Sequence, residues 1–178
     1  MEKFIEIYDN FLPKGIEDRL EYNILNTTEY LYLYNLVNNQ KQEEYIPGFS
    51  CCILDMENNK FSPQYSFQYG VLYYFLQTQN IIPFQILNAR IFLQVPSLTS
   101  KIHTPHTDLN TPHWVVLYYV NDTDGDTIFY NDNKEEIKRV SPKKGRVVFF
   151  DGSIMHSAST PTQTHRAIIN FSFTGEKL

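Results

Sequence analysis

Two short β-rich runs joined by turn residues stand in the middle of the chain: HWVVLYYV at residues 113–120 and DTIFY at residues 126–130. The turn between them contains Asn121-Asp122 and Asp124-Gly125-Asp126, and these residue types favour tight turns. Further runs of the same kind lie on both sides, separated by other turn signals: ARIFLQV (89–95), KIHTPHTD (101–108), EIKRV (136–140), GRVVFF (145–150), IMHSAS (154–159) and RAIINFSF (166–173). Consecutive short strands without intervening helices predict a β-sandwich or jelly roll.

The first 85 residues have a different pattern. Residues 3–8 alternate like a short strand, and an amphipathic helix is predicted after Pro13, where apolar residues recur at helical spacing. Residues 28–37 fit helix or strand, and residues 38–50 look like a loop. Residues 56–70 form a polar, aromatic stretch that could flank a site, and residues 70–82 predict a second helix closed by Pro83. We expect a mainly β fold with supporting N-terminal helices and, since no linker or repeat interrupts residues 1–178, a single domain.

Composition narrows the function class. The chain has 178 residues, with 15% aromatic residues that favour half-buried β structure. A net charge of −5 argues against a protein held mainly by nucleic-acid phosphates. Cys51 and Cys52 are adjacent, and neighbouring cysteines rarely meet disulfide geometry. The N-terminus has neither a signal-peptide pattern nor a spanning apolar run. These features predict a soluble protein of the reducing cytoplasm.

The most informative polar motif is His106-Thr107-Asp108. On an extended segment, residues two apart point to the same side, so His106 and Asp108 can face one point. His156, on a later β run, can supply the third ligand from across the mouth of a jelly roll. Two histidines and one carboxylate leave part of an octahedron open, as non-haem Fe(II) sites require. The alternative is a solvated loop histidine beside an aspartate.

Arg166 opens the apolar run AIINFSF, ten residues after His156. A guanidinium at the edge of an apolar cavity can bind a carboxylate through two hydrogen bonds. A 2-oxo acid that supplies electrons to iron carries such a distal carboxylate, and Tyr119 is the best candidate for a hydroxyl that donates to it. The alternatives are a solvated arginine at a strand end and a core tyrosine.

The remaining charged residues favour ordinary roles. The other three histidines have no carboxylate at ligand spacing, and we expect them at the surface, near the substrate or behind the ligands: His103, His113 and His165. The acidic residues of 122–126 lack the other positions of a calcium loop and predict a hairpin turn. The basic stretch 134–146 predicts a solvated hairpin, or a contact for an acidic or phosphate-bearing substrate.

Several segments together resemble the 2-oxoglutarate- and Fe(II)-dependent oxygenases, and in particular their prolyl 4-hydroxylase-like branch: HTPHTD, WVVLYYVNDTDGDTIFYN, PKKGRVVFFDGSIMHSASTP, HRAIINFSF and the opening IYDNFLPKGIEDRL. The resemblance implies a double-stranded β-helix core over residues 86–174 and a helical support region over residues 1–85. It implies Fe(II) ligands at His106, Asp108 and His156, with Arg166 and Tyr119 at the 5-carboxylate of 2-oxoglutarate. It also implies O2 as cosubstrate and ascorbate as a further cofactor.

One departure from the family pattern lies upstream of His106. Prolyl hydroxylases often have a tyrosine there that contributes to the cosubstrate pocket, whereas this chain has Leu93-Gln94-Val95-Pro96. The resemblance implies a dioxygenase that hydroxylates a C–H bond of a prolyl or other peptide side chain. The alternatives are an oxygenase for a small metabolite or nucleobase, a non-catalytic jelly-roll protein that binds a metal or ligand, and a cupin-like metal-dependent hydrolase or isomerase.

Overall fold

This computed structural model describes residues 3–26, 31–33, 48–56, 60–61 and 65–178. Two helices and eleven strands lie within these ranges. The helices are α1 (Lys14–Leu25) and α2 (Ser66–Thr78). The strands are β1 (Ile5–Tyr8), β2 (Leu31–Leu33), β3 (Gly48–Asp55), β4 (Lys60–Phe61), β5 (Ile81–Gln94), β6 (Trp114–Tyr119), β7 (Thr127–Tyr130), β8 (Glu136–Val140), β9 (Val147–Asp151), β10 (His156–Ala158) and β11 (Arg166–Lys177).

The larger sheet has the strand order β1-β9-β6-β11-β5-β3-β2, with β4 beside β3, and all of its pairs are antiparallel. Its centre is the pairing of β11 with β5, which runs from Arg166 opposite Gln94 to Lys177 opposite Ile81. The smaller sheet has the order β10-β7-β8. The described part of the chain is therefore mainly β with two helices, and the predicted jelly-roll class is confirmed.

The prediction of a strand over 101–108 is wrong in part. Only two isolated antiparallel bridges form, Ile102 with Ser159 and His106 with His156. The two bridges are four residues apart in the segment from Ile102 to His106 but three residues apart in the segment from His156 to Ser159. The extra residue is a bulge that breaks the ladder. Pro105 lies inside the break and has no N–H to donate. The segment still runs along β10 as an irregular edge of the smaller sheet.

Two hydrophobic cores lie on opposite faces of the larger sheet. The first is between this sheet and the helices and includes Leu20, Phe75 and Phe171. The second is between the two sheets and includes Leu117, Phe129 and Phe150. Strand β6 has apolar residues on both faces and is buried along its whole length, which explains its continuous hydrophobic sequence.

The N-terminal half shows where local sequence signals mislead. The predicted helix over 70–82 is instead Ser66–Thr78, because Asn80 has a φ of 53° and β5 begins at Ile81. Pro83 lies within β5, near its first residue. Among the described strands, this end of β5 pairs only with β11, and a proline is tolerated where one side of a strand is unpaired. Of the predicted loop over 38–50, Gly48–Ser50 belong to β3 and the rest lies outside the described residues.

The other uncertain segments are only partly described. Within 28–37 the structure describes the strand Leu31–Leu33, and within 56–70 it describes Met56, Lys60–Phe61 and residues from 65 onward. The predicted helical support region over 1–85 contains both helices, but its strands β1 and β3 also join the larger sheet. The division into one support region and one β-helix core stays a prediction. Neither described helix is long and apolar enough to cross a membrane.

The basic stretch 134–146 connects the N-terminal region to the sheets. Arg146 pairs with Asp9 at 2.6 Å, and Lys144 pairs with Asp18 at 2.6 Å and with Glu21 at 2.5 Å. Lys138 donates to the backbone carbonyl of Ile5 at 3.2 Å. These basic side chains therefore serve contacts within the chain.

Candidate metal centre and cavity

The three predicted metal ligands come together at one point. The carboxylate oxygen Oδ1 of Asp108 lies 3.7 Å from Nε2 of His106 and 3.5 Å from Nε2 of His156. One potential ligand atom from each residue lies within 4.8 Å of the others. Three donors this close, on side chains that are buried or half-buried, can converge on a single divalent ion.

Backbone carbonyls fix the orientation of both histidines. Nδ1 of His106 lies 3.2 Å from the carbonyl of Thr104, and Nδ1 of His156 lies 3.1 Å from that of Ile154. A carbonyl can only accept a hydrogen bond, so each ring carries its proton on Nδ1 and leaves the Nε2 lone pair for a metal. The residues present therefore fit an Fe(II) ion with two imidazole ligands and one carboxylate ligand.

Asn170 holds the other oxygen of the carboxylate. Its amide nitrogen donates to Oδ2 of Asp108 at 2.9 Å, which leaves Oδ1 facing the histidines. Burial alone would raise the pKa of Asp108, but its interactions with His156, His106 and Asn170 hold that pKa well below its usual value. Burial lowers the pKa of His156, and the Asp108 charge more than reverses this. The carboxylate is thus kept ionised, as a ligand must be.

A cavity of about 120 Å³ opens beside the three ligands, between the two sheets. Part of its wall is apolar: Phe92, Leu117, Ala158 and Ile168. Its polar lining, apart from the ligands, is Gln94, His103, Thr127, Ser157, Arg166 and Asn170. A small molecule with one apolar section and polar ends suits such a lining.

Arg166 is the notable charge in this cavity. It is only 4% exposed, and its guanidinium donates from Nε to the carbonyl of Gly125 at 2.7 Å and from Nη2 to Oγ1 of Thr127 at 2.8 Å. Burial lowers the pKa of Arg166, and contact with Tyr119 opposes the change. No carboxylate of the described residues lies within ion-pair distance of it. A buried cation with no carboxylate in direct contact is costly, so this end of the cavity is suited to an anion.

Tyr119 lies behind the cavity wall. Its hydroxyl donates to Oγ1 of Thr127 at 2.6 Å, and the Arg166 guanidinium carbon is 5.6 Å from the centre of its ring. Tyr119 itself does not line the cavity, whereas Thr127 does. The predicted contact of Tyr119 with a carboxylate stays a prediction, and within the structure the Tyr119 hydroxyl contacts Thr127, a residue that the sequence analysis did not single out. The alternation of β7 could have indicated it, since Thr127 and Phe129 share one strand face.

The other histidines differ in their surroundings. His103 is buried and lines the cavity, His113 is buried against Gly152, and His165 is exposed. The Asp124 carboxylate accepts hydrogen bonds from the backbone N–H groups of Thr162 and Gln163, so it braces a loop as expected for a turn residue.

Comparisons with known proteins agree with this geometry. A family model described as the 2OG-Fe(II) oxygenase superfamily matches residues 94–174, a range that includes His106, Asp108, His156 and Arg166. No match is found among curated proteins.

Solved structures share the fold at low sequence identity. A prolyl hydroxylase from Trichoplax adhaerens, in complex with a hypoxia inducible factor peptide fragment, has a TM-score of 0.63 and 15% identity over 95% of this chain and 82% of its own. A Pseudomonas putida prolyl-4-hydroxylase has a TM-score of 0.62 and 14% identity, with coverages of 95% and 91%. HygX from Streptomyces hygroscopicus, with nickel, 2-oxoglutarate and hygromycin B bound, has a TM-score of 0.61 and 11% identity, with coverages of 96% and 82%.

Proposed function

We propose that the chain is an Fe(II)- and 2-oxoglutarate-dependent dioxygenase of the 2OG-Fe(II) oxygenase superfamily, whose family model matches residues 94–174, and that it holds its iron on His106, Asp108 and His156. In this superfamily the iron supplies the activation of O2, with 2-oxoglutarate as the electron source, and the products are succinate, CO2 and an oxidised substrate. The residues of this chain contribute binding, orientation and exclusion of water.

The observation that carries the proposal is the buried Arg166, which has no carboxylate of the described residues in direct contact, in the same cavity as three convergent ligand atoms. Arg166 and Thr127 bind the distal carboxylate of 2-oxoglutarate, and the apolar walls surround its methylene groups. Tyr119 positions Thr127 by a hydrogen bond, which leaves the Thr127 hydroxyl hydrogen for the carboxylate. Ascorbate, which the resemblance also implies, has no assigned contact.

The proposed reaction is hydroxylation of a C–H bond, with a prolyl or other peptide side chain as the first substrate class to test. The support is the likeness to prolyl hydroxylases, which is an argument from fold. A small-molecule substrate is the second candidate, because HygX, with hygromycin B bound, has the same fold. A screen of prolyl peptides and small molecules for substrate-stimulated succinate, followed by mass spectrometry for one added oxygen, distinguishes the two.

The iron and cosubstrate sites have a direct test. Fe(II) and 2-oxoglutarate are added without O2 to the metal-free protein, and the weak visible charge-transfer band of the chelate is titrated. We expect the band in the wild type and in Arg19→Ala, an exposed-arginine control, and a much weaker 2-oxoglutarate affinity in Arg166→Ala and Arg166→Lys. Asp108→Ala should abolish iron-dependent succinate formation while circular dichroism stays unchanged.

Two results would contradict the proposal. One is absence of the band together with absence of 2-oxoglutarate binding by calorimetry, which would favour a non-catalytic binding protein. The other is unchanged turnover in a folded Asp108→Ala variant, which would remove the metal assignment.

A further inference from the structure

His103 is held in one position at the cavity by three contacts with other parts of the chain. Its backbone N–H donates to the carbonyl of Ala158 at 2.8 Å, which ties the segment before His106 to β10. Its ring nitrogen Nε2 lies 2.9 Å from the amide nitrogen of Gln94 on β5 and 3.1 Å from the hydroxyl of Thr160 after β10. Both backbone and ring are therefore fixed before any ligand binds.

The hydrogen bonds of Nε2 decide which tautomer the ring adopts. In the amide orientation of the structure, Gln94 donates to Nε2, so the ring proton lies on Nδ1. Nδ1 makes no hydrogen bond within the described part of the chain, and the ring lines the cavity. Burial, the nearby Arg166 charge and His106 lower the pKa of His103 to about 4, so the ring is neutral near pH 7.

The anion-binding end of the cavity needs donors beyond Arg166. A carboxylate offers about four lone-pair sites, and a guanidinium edge fills two of them with parallel hydrogen bonds. Thr127 can supply a third donor. A neutral imidazole N–H suits the remaining site, since it adds a donor without placing a second positive charge beside Arg166.

We propose that His103 donates a hydrogen bond from Nδ1 to the distal carboxylate of the 2-oxo acid, and that Gln94 and Thr160 are the positioning residues that fix its ring. His103 is then a specificity-determining residue that favours 2-oxo acids with a second carboxylate. This inference rests on the proposed function, because it takes 2-oxoglutarate as the cavity's ligand.

The test compares two ligands that differ only at the distal group. Fe(II)-loaded protein without O2 is titrated with 2-oxoglutarate and with 2-oxopentanoate, in which a methyl group replaces the distal carboxylate. For His103→Leu we expect about tenfold or greater loss of affinity for 2-oxoglutarate, as for other hydrogen bonds to charged groups, and unchanged affinity for 2-oxopentanoate. His103→Asn, which keeps an N–H donor near the Nδ1 position, should restore most of the loss, and the exposed His165→Leu should match the wild type.

The positioning role of Gln94 is tested with the same pair of ligands. Gln94→Leu removes the hydrogen bond that sets the His103 tautomer, so it should lower the affinity ratio of 2-oxoglutarate to 2-oxopentanoate by a smaller factor than His103→Leu. A variant that merely loosened the cavity would weaken both ligands and leave this ratio unchanged.

Each other outcome overturns the inference. Equal weakening of both ligands in His103→Leu would show a structural role, and no weakening would show that His103 does not contact the carboxylate. If the wild-type protein binds neither 2-oxo acid, the proposed function fails as well, and this result differs from a failure confined to the His103 variants.

Discussion

The two oxygens of the Asp108 carboxylate have different neighbours, and this asymmetry bears on the proposed metal site. Oδ2 is occupied by the amide of Asn170, so Oδ1 is the atom left for a metal. We expect Asn170→Ala to weaken divalent-metal affinity by about 10- to 100-fold, since hydrogen bonds behind a ligand hold its orientation. Chelator competition with Mn(II) measures the change.

The matched control for Asn170→Ala is Asn88→Ala. Asn88 is also a partly buried asparagine of the larger sheet, but its side chain accepts a hydrogen bond from Arg90 and does not contact Asp108. Equal metal affinity in Asn170→Ala and wild type would show that the backbone segment of Asp108 holds its carboxylate without the help of Asn170.

His103 gives the metal-free protein a predictable dependence on pH. Its pKa is lowered from 6.5 to about 4, so as pH falls the unfolded chain takes up the proton first. The contribution of His103 to the free energy of unfolding is complete above pH 6.5 and is lost as pH falls towards 4. The loss is roughly 3 kcal/mol at most. Urea denaturation at pH 7 and pH 4.5 should therefore show a smaller loss of unfolding free energy for His103→Asn than for the wild type. Parallel losses in the two proteins would mean that His103 titrates normally.

Sequence spacing predicted the charged residues of the candidate site and missed the neutral residues that contact them. His106, Asp108 and His156 were predicted from residue type and strand order, and the structure brings them together. Thr127 and Asn170 make their contacts between the two sheets, with Arg166 and Asp108 respectively, and which residues meet between packed sheets depends on a tertiary arrangement that one sequence does not specify. The chain lacks the family's tyrosine at residues 93–96, yet Gln94 from this stretch reaches the cavity by contacting His103.

At the scale of the elements, strands bounded by turn residues were predicted well, and boundaries set by single residues were not. The runs over 113–120, 126–130 and 136–140 each contain a strand of the structure, and the run over 166–173 lies within β11. The end of α2 was misplaced because Ile81 and Ile82 continue an apolar pattern that suits helix and strand equally. The left-handed conformation of Asn80, which separates the two elements, has no signal in hydrophobic periodicity.

The contact between α1 and the loop before β9 depends on a glycine. Gly145 has a φ of 75°, and a Cβ there would collide with the Glu17 carboxylate of α1. We expect Gly145→Ala to lower the unfolding free energy by about 1–3 kcal/mol, because alanine is strained at positive φ. Urea denaturation measures this, with Gly15→Ala as control.

Gly15 lies in the first turn of α1, and a Cβ added there would have no neighbouring atom within 4 Å. Alanine at this position should therefore be neutral or stabilising by up to about 1 kcal/mol. If both alanine variants had the same stability, α1 would have room to move away from the loop at no cost.

For the whole molecule, the distribution of charge bears on whether the protein binds nucleic acid. Four of the six basic residues in 134–146 lie within ion-pair distance of carboxylates: Arg139, Lys143, Lys144 and Arg146. Their charge is therefore largely compensated inside the chain, and the net charge is −5. We expect no binding of single-stranded nucleic acid at low salt, as measured by fluorescence anisotropy. Tight binding that weakened steeply with salt would instead revive a nucleobase substrate.

The reciprocal backbone contact of His106 and His156 can be followed by hydrogen–deuterium exchange. The amide N–H of each residue donates to the carbonyl of the other at 2.9 Å. Amides in such a pair exchange with deuterium only when the local structure opens. The exchange rates of these two amides therefore report how often the site comes apart, and slow exchange in protein stripped of metal would show that the polypeptide alone keeps the histidines in place.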